Sequence, residues 1–185
     1  MKTYLISPVG LAFIFLTAPL SCKAQKSKNA AIVAKGAQLE LLADGFEFTE
    51  GPAVDGNGNV FFTDQPNNRI VKWNVVDNSV SDYMKPAGRS NGLYFDHDGS
   101  LLAAADEKNE LWRIDKDKNV TVLVSGFKDK KLNGPNDLWV DGQGGIYFTD
   151  PYYQRPWWDH KKDPQDARRV YYLAPDSDAP RIVAD

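Results

Sequence analysis

Short runs of apolar residues alternate with polar, glycine-rich turns along most of the chain. Residues 131–150 (KLNGPNDLWVDGQGGIYFTD) show the pattern most completely: an apolar segment at 138–140, a turn with three glycines at 141–145, and a second apolar segment at 146–149. Aromatic and β-branched residues favour strands, and glycine tolerates the backbone of tight turns. The stretch therefore predicts a β-hairpin that opens with the amide of Asn136 and closes with the carboxylate of Asp150.

The same hairpin pattern occurs three times. The copies begin at Glu50, Asn91 and Asn136, which lie 41 and 45 residues apart, and the first and third both close with Phe-Thr-Asp. A repeat of about 40–45 residues with about four short strands is typical of a β-propeller blade. The sequence therefore predicts an all-β fold of the β-propeller type.

Two more strand-like segments follow each hairpin, at residues 69–73 and 80–84, 110–114 and 120–124, and 169–173 and 181–184. They complete about three blades, and the third blade carries an insertion at 151–168. Residues 38–42 (QLELL) have the pattern of one further outer strand. Propellers close with about four to eight blades, so we expect residues 38–185 to be the N-terminal part of a longer propeller. Such a fragment is expected to self-associate and to be inactive alone.

The N-terminus has the features of an export signal. Lys2 precedes an apolar segment at residues 5–20 that is short and broken by prolines, which argues against a transmembrane segment. Two processing routes are open: cleavage after Ala24, or lipid attachment at Cys22, the only cysteine. Both predict an exported protein, periplasmic or extracellular, and the second predicts a membrane-anchored lipoprotein. Residues 25–37 are polar and read as a flexible tether.

Composition narrows the choice of partners. The chain has 22 Lys and Arg against 25 Asp and Glu, a net charge of −3, with no long run of one sign. Neither nucleic acid nor an anionic membrane surface is therefore indicated as a partner.

The residues that open the three hairpins share a position. In a propeller the first strand of each blade lines the central channel, so Glu50, Asn91 and Asn136 are expected around one mouth of it. A carboxylate and two amides supply the oxygen ligands that hard cations such as Ca²⁺ prefer. The alternative is that the amides merely cap turns.

These segments resemble a known family. Residues 48–52 (FTEGP), 90–93 (SNGL), 132–137 (LNGPND) and 146–151 (IYFTDP) are similar to the SMP-30/gluconolactonase/LRE family, and within it to bacterial gluconolactonases. The similarity runs from about Gly45 to the end of the chain. It implies a six-bladed propeller that holds one divalent cation, usually Ca²⁺, and hydrolyses small-molecule lactones.

The resemblance also implies roles for particular residues. Glu50 and Asn136 match metal ligands, and Asn91, Asn133 and Asn136 are the candidate substrate-binding residues. The family's proposed catalytic Asp belongs to later blades, so no catalytic base is assigned here. In the implied mechanism the cation polarises the lactone carbonyl while a carboxylate activates water.

Other readings stay open. There is no G-x-S-x-G nucleophile motif, and His97 and His160 are expected to be loop residues. A non-catalytic binding propeller of the YWTD or NHL type is the alternative function. The aromatic residues of the insertion can either form a substrate rim or pack against the blade; they are Tyr152, Tyr153, Trp157 and Trp158.

Overall fold

The computed structural model describes residues 33–185. All regular secondary structure in these residues is β-strand. Three antiparallel four-stranded sheets follow one another, each with its strands in chain order. The first contains β1 (Thr49–Val54), β2 (Val60–Asp64), β3 (Arg69–Trp73) and β4 (Val80–Met84). The second contains β5 (Ser90–Phe95), β6 (Leu101–Ala105), β7 (Glu110–Ile114) and β8 (Val120–Val124). A two-stranded hairpin, β9 (Gly126–Phe127) and β10 (Lys130–Lys131), precedes the third sheet: β11 (Leu138–Val140), β12 (Ile146–Asp150), β13 (Arg169–Leu173) and β14 (Arg181–Ala184).

This arrangement confirms the predicted fold class, with three propeller blades in the described residues. The third and fourth strands of every blade fall on the predicted segments, because each is a short apolar run between polar turns. The hairpin β9–β10 was not predicted. It forms where the side-chain amide of Gln165 donates to the carbonyls of Phe127, Lys130 and Lys131.

Residues 38–42 are predicted to form the outer strand of a blade completed by later blades, and the described residues do not test that pairing. Residues 38–42 form no strand here, and Leu39 and Leu41 are fully or largely exposed. A strand needs a hydrogen-bonded neighbour, and no described residue pairs with this segment.

The chain divides into two units, residues 1–39 and 40–185. In the first unit the described residues, 33–39, are exposed. The proposed signal, Cys22 and most of the proposed tether lie outside the described residues. Within 33–185, no helix is long and apolar enough to span a membrane.

The second sheet is covered on both faces. Its strand β6 is buried along its whole length, and the alternation of side chains divides that strand between two cores. Leu101 and Ala103 pack with the first sheet, in a cluster that includes Phe61 and Ile70. Leu102 and Ala104 pack with the third sheet, in a cluster that includes Phe148 and Tyr171. The sheets thus stack face to face as neighbouring blades.

Two glycines allow the innermost strands of adjacent blades to approach closely. A Cβ on Gly51 would lie 2.4 Å from the carbonyl oxygen of Asn91, and a Cβ on Gly92 would lie 2.8 Å from that of Asn136. Gly51 also has a left-handed backbone, with φ of 54°. The Glu-Gly and Asn-Gly pairs therefore mark where each blade meets the next.

Candidate functional site at the channel mouth

The starts of the three innermost strands are joined by hydrogen bonds. The hydroxyl of Thr63 donates to the carbonyls of Glu50 (3.1 Å) and Asn91 (3.0 Å). The N–H of Gly92 donates to the carbonyl of Asn136 at 2.7 Å. The structure therefore brings the three hairpin-opening residues together at the level of the backbone, as the repeat predicts.

Glu50 is a half-buried carboxylate in a charged setting. Burial raises its pKa, the negative charge of Asp137 raises it further, and the positive charge of Arg155 opposes both. Its side chain also lines an apolar cleft of about 420 Å³ with Phe46 and Phe62. Glu50 therefore combines restricted access to water with nearby charges of both signs, as is common for functional carboxylates.

Asn91 is almost completely buried, at 1% exposure. Its amide oxygen accepts a hydrogen bond from Nη2 of Arg155 at 3.4 Å, and its Nδ2 lies 3.5 Å from the carbonyl oxygen of Pro135. The structure therefore holds the side chain of Asn91 inside a network of protein groups. Arg155, and not Asn91, is the more exposed member of that network.

Asp106 closes the second hairpin but differs from its counterparts. Asp64 and Asp150 each accept hydrogen bonds from backbone N–H groups in the segment before the innermost strand of their own blade. The donors to Asp64 are residues 47 and 48, and the donors to Asp150 are residues 133 and 134. Asp106 instead accepts from Nε of Arg155 at 2.7 Å and from Nε2 of Gln65 at 2.9 Å. Its carboxylate thus joins two blades and the insertion.

The pKa of Asp106 reflects this burial. With the residue only 1% exposed, burial raises the pKa to about 6, although Arg155, Asn91 and Gln65 all act to lower it. Desolvation outweighs the favourable contacts because so little water reaches the carboxylate.

Asn136 and Asn133 lie in different surroundings. The Asn136 side chain lines a cleft of about 370 Å³ that also includes Tyr153 and Arg168, and it makes no side-chain hydrogen bond to the described residues. Asn133 is fully buried, and its amide donates to the carbonyls of Asp150 and Ala167 and accepts from the N–H of Gln165. Asn133 therefore fastens the end of the insertion to the third blade.

The aromatic residues of the insertion divide between packing and exposure. Trp158 is 5% exposed, donates from Nε1 to the carbonyl of Asp106 at 2.8 Å, and stacks on His160 with ring centroids 4.7 Å apart. Trp157 lies under the guanidinium of Arg89, 4.4 Å from its ring centroid. Tyr153 is 57% exposed. Trp158 is thus a packing residue, while Tyr153 remains available to a ligand.

Sequence reasoning did not identify Arg155 or Asp106 as members of the site. Asp106 carries a weak signal, because it is the closing carboxylate of the second repeat. Arg155 carries none, because its contacts with Asp106 and Asn91 span 49 and 64 residues of sequence.

The donors that could hold a divalent cation are few. Glu50 and Asn136 are oxygen donors of the right kind, and a cation near Glu50 would also offset the repulsion between its carboxylate and that of Asp137. Residues 33–185 contain no cluster of three or more His, Cys, Asp or Glu side chains able to hold a metal. Glu50 and Asn136 line separate clefts, so the described residues do not by themselves show a cation site.

The protein is therefore of the β-propeller class, and its polar candidate site lies at the starts of the innermost strands. A family model described as the SMP-30/gluconolactonase/LRE-like region matches residues 48–185. The chain belongs to that family, as its repeat motifs indicated.

Relatives agree with this assignment. A gluconolactonase from Zymomonas mobilis subsp. mobilis (strain ATCC 31821 / ZM4 / CP4) is 30% identical over 177 residues, covering 78% of this chain and 49% of the relative. The structure of a gluconolactonase from Xanthomonas campestris, described as important in glucose secondary metabolic pathways, matches with a TM-score of 0.73 and 30% identity, over 78% of this chain and 49% of its own. An X-ray structure of a candidate gluconolactonase matches with a TM-score of 0.74 and 32% identity, over 81% of this chain and 53% of its own. The chain spans about half the length of these relatives.

Proposed function

We propose that the full-length protein is a lactonase that hydrolyses sugar lactones such as gluconolactone. The observation that carries this proposal is Glu50: a half-buried carboxylate, with its pKa raised, at the junction of three innermost strands in a member of this family. Resemblance to gluconolactonases at 30% identity supports the reaction class.

Glu50 and Asn136 would hold a divalent cation, Ca²⁺ in our proposal, with further ligands outside this pair. When bound, the ion would act as a Lewis acid toward the lactone carbonyl. The chain's own residues position the site: the hydrogen bonds of Thr63 and Gly92 fix the starts of the strands, and Arg155 of the insertion places a positive charge near Glu50. We assign no catalytic base among the described residues.

The test is the variant Glu50→Gln in the full-length protein. It preserves shape but removes the charge, so we expect Ca²⁺ affinity and hydrolysis of glucono-δ-lactone to fall at least tenfold while the melting temperature without metal is kept. Asn136→Ala is expected to lower activity as well. Wild-type turnover in Glu50→Gln would refute the metal site. A protein that melts higher with Ca²⁺ but hydrolyses no lactone would instead point to the binding-propeller alternative.

We also infer export, from residues 1–24 of the sequence. The intact mass of the mature protein separates the two routes. Cleavage after Ala24 leaves Gln25 first, whereas lipid attachment leaves an acylated Cys22, and an unprocessed N-terminus would contradict both.

A further inference from the structure

Arg155 reaches from the third-blade insertion across to the second blade. Its Nε donates to Asp106 at 2.7 Å and its Nη2 donates to Asn91 at 3.4 Å. The Asp106 side chain is 1% exposed and that of Arg155 is 20% exposed. The acidic partner is therefore sealed in the protein, while part of the Arg155 side chain stays accessible to solvent.

The guanidinium retains unused donors. An arginine side chain has five N–H donors, and Arg155 uses those on Nε and Nη2 for these two contacts. Within residues 33–185, its Nη1 has no hydrogen-bond partner. The rings of Tyr153 and Trp157 lie 5.9 and 5.8 Å from the guanidinium carbon and flank it.

The charged groups around Arg155 determine whether a neutral or an anionic ligand is favoured there. The guanidinium of Arg155 pairs with Asp106 and acts on Glu50, which the negative charge of Asp137 also reaches. The positive charge of Arg155 is therefore already matched by protein carboxylates, which favours an uncharged ligand over an anionic one. A neutral ligand rich in hydroxyl groups could accept hydrogen bonds from Arg155, donate to the exposed Asp137, and lie against the face of Tyr153.

We propose that Arg155 is a specificity-determining residue that donates hydrogen bonds to hydroxyl oxygens of a neutral polyhydroxylated lactone at the channel mouth. This inference rests on the proposed function for its choice of ligand. Asp106 and Asn91 act as positioning residues that hold the guanidinium in place. Buried groups committed to a polar ligand discriminate strongly against analogues that lack the matching oxygens.

The experiment compares Arg155→Lys with Arg113→Lys in the full-length protein. A lysine at 155 can still pair with Asp106, so folding should survive, but it cannot bridge Asp106 and Asn91 and offer donors as well. Arg113 pairs with Asp96, which follows the end of β5 that lies opposite Asn91, so it controls for a change of Arg to Lys in an ion pair outside the site. For glucono-δ-lactone we expect Arg155→Lys to raise KM about tenfold or more, with kcat little changed. For δ-valerolactone, which has no hydroxyl groups, we expect no change.

An equal loss on both lactones, or no loss on either, would overturn the inference. The double variant Asp106→Asn/Arg155→Met removes both members of the ion pair, so no unpaired charge is left buried. It should show the same selective loss if Arg155→Lys proves unstable.

Calorimetric binding of glucitol, a neutral polyol, separates this inference from the proposed function. Wild-type protein that hydrolyses no lactone but binds glucitol about tenfold or more tightly than Arg155→Lys would refute the lactonase proposal and support the role of Arg155. Equal glucitol affinity in the two proteins, or no measurable binding in either, would refute the role of Arg155.

Discussion

At the scale of single residues, steric contact with the next blade explains why glycine occurs in the innermost strands. A Cβ on Gly51 would meet the carbonyl oxygen of Asn91 at 2.4 Å, and its φ of 54° is unfavourable for other residues. We expect Gly51→Ala to destabilise the protein by about 1–3 kcal/mol through overpacking, with about 1 kcal/mol more for the left-handed backbone. Urea unfolding measures both variants: the control Gly142→Ala, where an added Cβ meets nothing within 4 Å, should be nearly neutral. Equal midpoints for the two would contradict the close approach.

Residue positions were predictable where the repeat itself determined them. Glu50, Asn91 and Asn136 could be placed around one mouth because the three hairpins align. Their side-chain environments could not be predicted, because these depend on Arg155, which comes from an insertion outside the repeat. The burial of Asn91 and the internal hydrogen bonds of Asn133 are tertiary features of this kind.

At the scale of elements, the strands were predictable because each is a short apolar run between polar turns. The hairpin β9–β10 was not, since its sequence is polar and it depends on Gln165, which lies more than 30 residues away in sequence. Residues 38–42 are a different case: their apolar pattern predicts an outer strand of a blade completed by later blades, and no described strand pairs with them. The apolar pattern of a segment does not show which strand it pairs with.

Trp158 is one of the residues that hold the insertion in place. It is buried, donates to the carbonyl of Asp106, and packs against Gly134, where an added Cβ would lie 2.6 Å from the indole ring. We expect Trp158→Ala to cost about 3–5 kcal/mol. The exposed Tyr153 serves as a matched control: Tyr153→Ala should change stability by about 0.5 kcal/mol or less but lower affinity for the sugar lactone. Chemical denaturation and KM measured on both variants decide the matter. A stable Trp158→Ala protein would contradict the packing role.

At the scale of the whole molecule, buried carboxylates make stability depend on pH. Burial raises the pKa of Asp106 and of Asp150 to about 6, above the value of an unfolded Asp. Between about pH 4 and 6 the folded protein therefore binds more protons than the unfolded chain, and stability should fall as pH rises. The slope is up to about 1.4 kcal/mol per pH unit for each proton involved.

Asp64 behaves in the opposite way. Burial opposes its ionisation, but hydrogen bonds from Asn67, Arg69 and the N–H groups of Phe48 and Glu47 lower its pKa overall. Its contribution is present above the unfolded pKa and is lost as pH falls through the folded value. Stability should therefore be greatest near about pH 4, the pKa of an unfolded Asp, and fall on either side of it.

Denaturation at several pH values tests this balance. Asp150→Asn should reduce the decline between about pH 4 and 6, whereas Asp176→Asn, on an exposed turn, should leave it unchanged. A decline of equal slope in Asp150→Asn and wild type would show that Asp150 does not titrate in this window.

The outer face of the third sheet carries a row of side chains across its strands. Trp139, Tyr147 and Tyr172 lie opposite one another in register, with ring centroids 5.6 and 4.7 Å apart, and Arg181 lies over Tyr172. Trp139 is 52% exposed. Exposed apolar faces of this kind promote association, so we expect a purified polypeptide of residues 38–185 to self-associate through this face.

Trp139→Lys should shift that polypeptide toward the monomer without lowering its melting temperature, because the substituted side chain points away from the core. The matched control is Val122→Lys, which places the same charge at an exposed position on β8 and should leave association unchanged. Light scattering coupled to size-exclusion chromatography measures both. If the wild-type polypeptide is monomeric at tens of micromolar, or if both variants dissociate equally, the aromatic row is not the surface through which it associates.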